Sequence, residues 1–250
     1  MSEGPLNPQY GNMGNLGDIL KHGALVELAA MMSSPGALPV AYVETHAFVL
    51  RAPMANGDRW QQEVAVELNA WPGYQRYYEC EAQEVGEGHY RCSCGLALDF
   101  LPSATLYLAE ADPPTRAILL EKLAAESITP ACLLTEAESF AQLESSPEPR
   151  PLLMLVDPFD TPHAYWSAVS NLTRAFCGPQ EAGAIEAFAY DDQPIDWPEP
   201  PPWFLGPVAS IDRTPFHLAV YATVGSADQV RSILLRLGWR VEDTYDRKWS

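Results

Sequence analysis

Three short apolar runs in this chain each end in an acid. Pro39 to Val43 leads into Glu44, Ala104 to Ala109 into Glu110, and Leu152 to Val156 into Asp157. A carboxylate at the carboxyl end of a buried parallel strand stands where open α/β sheets bind their ligands. There it can accept hydrogen bonds from hydroxyl or amino groups. The plainer alternative at each position is an acid that caps the next turn or is simply solvated. Lys21, on an early helix, is a further candidate, with a surface charge as its alternative. No Gly-x-Ser-x-Gly elbow, His-Glu-x-x-His helix or phosphate loop occurs, so serine-nucleophile, zinc-protease and nucleotide-triphosphate chemistries find no support. Cys80, Cys92 and Cys94 cluster around His89, but their spacing matches no common zinc pattern, and no metal site is expected.

The elements that must carry these acids follow from apolar periodicity. Residues 1–16 read as a short irregular arm. Ile19, Leu20, Ala24, Leu25, Leu28 and Met32 recur at helical spacing, with Asp18 as cap or first-turn acid and Ser33-Ser34-Pro35-Gly36 as the stop. Strands are predicted over 39–44, 104–110, 131–134, 152–157, 184–189, 217–224 and 238–243. Helices are predicted over 59–70, from Pro113 or Pro114 to Glu126, from Glu138 to Leu143, from His163 to Cys177 and over 227–237. Residues 71–95 and the proline-rich 192–207 read as irregular insertions. The alternation of strand and helix predicts an α/β, doubly wound sheet in a single domain spanning 1–250.

The charge balance bounds the partners. Thirty-three acidic and 15 basic residues give a net charge of −18, and no basic cluster is longer than Arg247-Lys248. A protein that grips nucleic acid neutralises phosphates with clustered Lys and Arg. The balance here counts against a large RNA footprint and favours a small or cationic partner. No apolar run is long enough to predict a membrane span. The N-terminus shows no secretory signal, so a cytoplasmic location is expected.

Five stretches, in order, carry a resemblance. They are Gly14-Asn15-Leu16-Gly17-Asp18-Ile19-Leu20-Lys21-His22, Tyr42-Val43-Glu44-Thr45-His46-Ala47, Leu106 to Glu110 before a Pro-containing helix start, Thr135 to Phe140, and Leu155-Val156-Asp157-Pro158-Phe159-Asp160. Together they resemble the adenine-N6 methyltransferases of large-subunit ribosomal RNA, over about residues 10 to 175. The resemblance implies a Rossmann-like methyltransferase sheet and S-adenosylmethionine as cofactor. It implies that Asp157 and the Pro158 carbonyl accept hydrogen bonds from the substrate amine while Phe159 stacks on the base. Holding that nitrogen in line with the methyl group is catalysis mainly by positioning. Lys21 would sit near the cofactor carboxylate or the reaction centre. Glu44, Thr45 and His46 would line the cofactor pocket, Glu110 would bind the ribose hydroxyls, and Glu138 would lie near the cofactor's adenine.

The chain departs from that pattern at Phe48 and Val49, where the family carries a glycine pair. Side chains there are expected to block or reshape the methionine-moiety site, because glycine allows positive φ and close approach. Two functions of different class follow. One is an active methyltransferase with an open pocket beyond Glu44, Glu110 and Asp157. The other is a non-catalytic protein on the same fold, with an apolar cluster at residues 47–50, that acts as a binding module.

Overall fold

The computed structural model describes residues 13–33, 39–54, 60, 72–136, 139–140, 150–157, 183–190, 203–205, 209–211, 214–223 and 225–241. The chain opens with helix α1 (Leu16–Met32), then strands β1 (Ala41–Glu44) and β2 (Arg51–Pro53). A 3-10 turn (Pro72–Tyr74), helix α2 (Gln75–Gly86), strand β3 (His89–Arg91) and helix α3 (Ser93–Phe100) follow. Next come β4 (Thr105–Ala109), α4 (Pro113–Ala125), β5 (Cys132–Leu134), β6 (Leu152–Val156) and β7 (Gly183–Tyr190). The chain then forms β8 (Trp203–Leu205), β9 (Ala209–Ile211), β10 (Thr214–Ala222), α5 (Ala227–Arg236) and β11 (Arg240–Val241).

Among the described residues nine strands form one sheet, ordered β11-β8-β10-β7-β6-β1-β4-β5, with β9 on β10. The five strands β7-β6-β1-β4-β5 run parallel. β10 lies antiparallel to β7, and β8 antiparallel to β10. The chain builds outward from β1 to β4 and β5, returns to place β6 on the other side of β1, and continues to β7. That reversal is the topological switch point of a Rossmann-like, doubly wound sheet. Every residue of β1 and β6 is buried, as expected of central parallel strands. The expected doubly wound α/β fold is therefore what forms.

Helix α1 is buried around most of its circumference. Leu20, Ala24, Leu25 and Leu28 pack with Tyr42, Leu153, Leu155 and Ala184 of the sheet. Ile19 and Val26 pack on Trp60, Tyr77, Tyr90 and Leu96 instead. The helix starts earlier than its apolar spacing suggests. Asn15, not Asp18, is the N-cap: its side chain accepts the Asp18 N–H at 3.1 Å. Asp18 returns a carboxylate oxygen to the Gly14 N–H at 2.9 Å. Gly14 holds φ +73°, a conformation L-residues rarely adopt. Gly23 serves close packing: a Cβ there would lie 1.9 Å from Cδ1 of Tyr74, whose ring rests on the helix.

Residues 71–95 are not the irregular insertion that their composition suggests. Their described part holds the 3-10 turn, α2, β3 and the start of α3, and β3 pairs with β2 as a small antiparallel ribbon. Their residues look like loop material in sequence, but Tyr77 and Tyr90 bury against Ile19 and Val26 of α1. Tyr77 and Tyr90 share a 2.9 Å hydroxyl hydrogen bond, and His22 Nδ1 lies 2.9 Å from the Tyr90 hydroxyl. The 192–207 stretch likewise contains strand β8. The predicted helix 163–177 lies outside the described residues, as do 138–143 apart from Ser139 and Phe140 and 59–70 apart from Trp60.

Candidate functional site

The site is built at the carboxyl ends of β1 and β6, under the first turns of α1. In-register pairing sets Glu44 opposite Leu155, and Leu155 opposite Glu186 of β7. Cross-strand partners share a face, so these three side chains form one row. Asp157 lies two residues beyond Leu155 and continues that face past the strand end. Helix α1 lays Lys21 over it.

Lys21 Nζ donates to Asp157 Oδ2 and, at 3.1 Å, to Asp18 Oδ1. Burial disfavours the Lys21 charge, but the adjacent carboxylates Asp157 and Asp18 outweigh it, so the pKa rises. Lys21 is thus held as an ammonium. It fixes the Asp157 carboxylate and cannot act as a base near neutrality. Among the described residues the Asp157 carboxylate has Lys21 as its donor, through one oxygen. The side chains of Asp18 and Asp157 are 19% and 20% exposed against 7% for Lys21, so the two acids form the mouth of the cluster.

Glu44 lies deeper. It accepts from Ser93 Oγ and, at 3.0 Å, from the Tyr42 hydroxyl. Burial raises its pKa to about 7, against the opposing hydrogen bonds of Ser93 and Tyr42. Near neutrality it therefore exchanges a proton without leaving its place. Thr45 ties β1 to β6: its backbone N–H donates to the Leu155 carbonyl at 3.1 Å and its hydroxyl at 3.2 Å. His46 Nδ1 is 3.2 Å from that hydroxyl, and the ring is half-buried. Both residues lie beside the cluster, and Thr45 spends its polar atoms on the strand junction.

Glu110 closes β4, half-buried. Its carboxylate accepts the Asp112 N–H at 2.7 Å, while Arg116 donates to its backbone carbonyl at 2.8 Å. Burial raises its pKa, with Asp112 as the nearest negative neighbour. Asp112 is the N-cap of α4, accepting from Thr115. Pro158, Phe159 and Glu138 lie outside the described residues.

The segment after β1 shows what replaces the glycine pair. Val49 is buried with Ala52 and Cys92, and Phe48 and Met13 pack on that group. Ala47 donates its N–H to the Ala109 carbonyl at 2.7 Å, tying the loop to the end of β4. Ser127 is the one non-glycine residue with positive φ among those described. The loop therefore does not use the conformation that would have required glycine at 48 or 49. Cys80, Cys92, Cys94 and Cys132 are free thiols. Burial pushes the pKa of Cys92 and Cys94 up, which makes them inert packing groups.

Sequence reasoning passed over Asp18 as a site residue, and also Ser93, Tyr42 and Glu186. Only Glu186 left a signal: it is a lone charge in the otherwise uncharged run Gly183–Tyr190, where a charged residue is rarely buried without a partner.

The chain matches no protein-family model and no curated protein in sequence. It is similar in structure to protein LPL1258 from Legionella pneumophila, at 17% identity and a TM-score of 0.65, over 94% of this chain and 99% of that one. It is more distantly similar to SMU.1697c from Streptococcus mutans in complex with S-adenosylhomocysteine, at 9% identity and a TM-score of 0.40 over 79% and 94% of the two chains. For an rRNA methylase from Streptococcus thermophilus the values are 10%, 0.38, and 79% and 93%. The last two likenesses are too remote to carry function, whereas the Legionella protein shares the α/β fold of this chain over nearly its whole length.

Proposed function

We propose that this protein is an S-adenosylmethionine-dependent methyltransferase that acts on an amino nitrogen. The observation that carries the reading is the Lys21–Asp157 pair at the switch point. A carboxylate anchored through one oxygen presents the other as a fixed acceptor, which is what an amine needs to be held in one orientation. S-adenosylmethionine would supply the methyl group. Glu110 at the end of β4 is the carboxylate suited to ribose hydroxyls, as in related nucleotide sites. Glu44, Thr45 and His46 lie on the side of the pocket where β1 ends. Pro158 and Phe159 complete the acceptor side in this reading, and Glu138 the adenine side. The ordered motifs point to an adenine amino group, while the net charge of −18 argues against an extended RNA contact.

A second reading is favoured by one observation, the Val49–Ala52–Cys92 group with Phe48 on it. Side chains there leave less room beside β1 and suit a non-catalytic protein on the same fold. Calorimetric titration with S-adenosylhomocysteine separates the two. Methyl transfer expects micromolar binding that weakens about tenfold in Glu110→Ala, with Asp157→Ala keeping the cofactor affinity. An absence of heat at millimolar ligand would favour the binding module.

A further inference from the structure

Glu186 is unlike the other acids of the molecule. It is fully buried in the middle of β7, and neither carboxylate oxygen has a hydrogen-bond partner. A buried polar group left without a partner is costly, and a buried charge more so. Burial accordingly drives its pKa well above the ordinary carboxyl value, Lys21 opposing and Asp157 reinforcing the shift. The register row places it on the face that carries Glu44, one strand over from Leu155 and beneath the Asp157 end of β6. Among the described residues four carboxyl groups, Asp18, Glu44, Asp157 and Glu186, thus share the single Lys21 ammonium. His22, next to Lys21 on α1, adds no positive charge. Burial, then its cationic neighbour, hold its pKa well below the usual value. Asp18 and Asp157 are the partly exposed members of this group.

We infer that this cluster is a binding site for the ammonium group of a small aliphatic amine, with Glu186 as the inner acceptor and Asp157 at the mouth. An ammonium carries three donors and one charge, which matches the two unpartnered Glu186 oxygens once its binding displaces the carboxyl proton. The whole-chain charge of −18 draws the same class of ligand from solution. The binding site itself does not depend on methyl transfer. Naming this amine as the methyl acceptor does rest on the reading given above.

Binding should expel the proton from the inner acid. The test is titration of the full chain with spermidine in two buffers of different ionisation enthalpy, beside Glu186→Gln. The expected result is saturable binding that releases protons, weakened at least about tenfold in Glu186→Gln, with S-adenosylhomocysteine affinity unchanged. Circular dichroism and Tm verify that the variant is folded. A peptide bearing a single lysine serves as a second probe. Tighter binding of the peptide would assign the amine to a protein side chain, and tighter binding of spermidine to a free amine. Equal binding by wild type and Glu186→Gln, displacement by potassium ion at matched ionic strength, or preference for adenosine over either amine would each overturn the proposal. Loss of S-adenosylhomocysteine binding with amine binding intact would instead remove only the methyl-transfer reading.

Discussion

The molecule has two sets of buried acids, and their partners differ. In the segment between β2 and α3, Glu84 is held by Arg51 at 2.8 Å and Arg91 at 3.0 Å. Its neighbour Glu81 accepts the Arg91 backbone N–H at 3.2 Å. Both guanidinium groups serve Glu84 and reach solvent, and Arg91 also pairs with Asp99. At the ends of β1 and β6 a single lysine serves the acids around it, and the lysine is itself buried. The first arrangement fastens the β2–β3 ribbon to α2, and it too leaves one oxygen each of Glu81 and Glu84 without a partner. The second leaves acceptor capacity unspent at the place where the topology opens the sheet. Unspent acceptor capacity thus occurs in both sets, and what distinguishes the second is its place at the topological switch point.

The largest effect should come from Lys21→Met. It strands the carboxylates of Asp157 and Asp18 at a largely buried site, and removing one partner of such a pair typically costs about 3–5 kcal/mol. Urea unfolding measures it. A loss below about 1 kcal/mol would mean that the strand-end cluster is no more coupled than a surface pair. The next effect is steric. Gly23→Ala drives a methyl group into the Tyr74 ring and should cost roughly 1–3 kcal/mol, which would also loosen the hydrogen bond from Trp239 Nε1 to the Tyr74 hydroxyl. Unchanged stability would show that the Tyr74 ring moves aside freely.

Third, the two regions should share a pH response. Burial raises Glu44 to about 7 and Glu81 to about 8, against an ordinary value of 4.5. The folded state holds these protons more tightly than the unfolded state. The associated stability is therefore complete below 4.5 and is lost as pH rises through 7 and 8. Thermal unfolding should show Tm falling as pH rises from 4.5 to about 8 and levelling off above that. Glu44→Gln and Glu81→Gln should each flatten part of that slope. A parallel slope in Glu81→Gln would place the response at the strand ends alone. The smallest effect on stability belongs to Glu84→Gln. Its arginine partners are partly exposed and screened, so about 1 kcal/mol or less is expected, measured against Arg51→Ala in a double-mutant cycle.

The sequence by itself determined the parallel core and the places where acids would stand. Uniformly apolar runs such as Leu152 to Val156 bury on both faces whatever surrounds them, and an acid at the end of such a run has to emerge at the sheet edge. Helix α1 was legible for the same reason, through spacing that depends only on near neighbours in the chain. What only the tertiary structure decided was which of these groups meet. Lys21 and Asp157 are 136 residues apart, and Ser93 reaches Glu44 across 49. No local period encodes such contacts. Residues 71–95 read as irregular because tyrosines, glutamates and cysteines carry little periodic signal, yet they fold against the second face of α1, which their own sequence does not display. Phe48 and Val49 read as side chains that block or reshape a pocket, and the apolar group they form with Ala52, Cys92 and Met13 depends on contacts distant in the chain. Glu186 shows the boundary most sharply. Its place in a strand follows from the residues around it, whereas its lack of any partner follows from strand order and register, which long-range pairing alone sets.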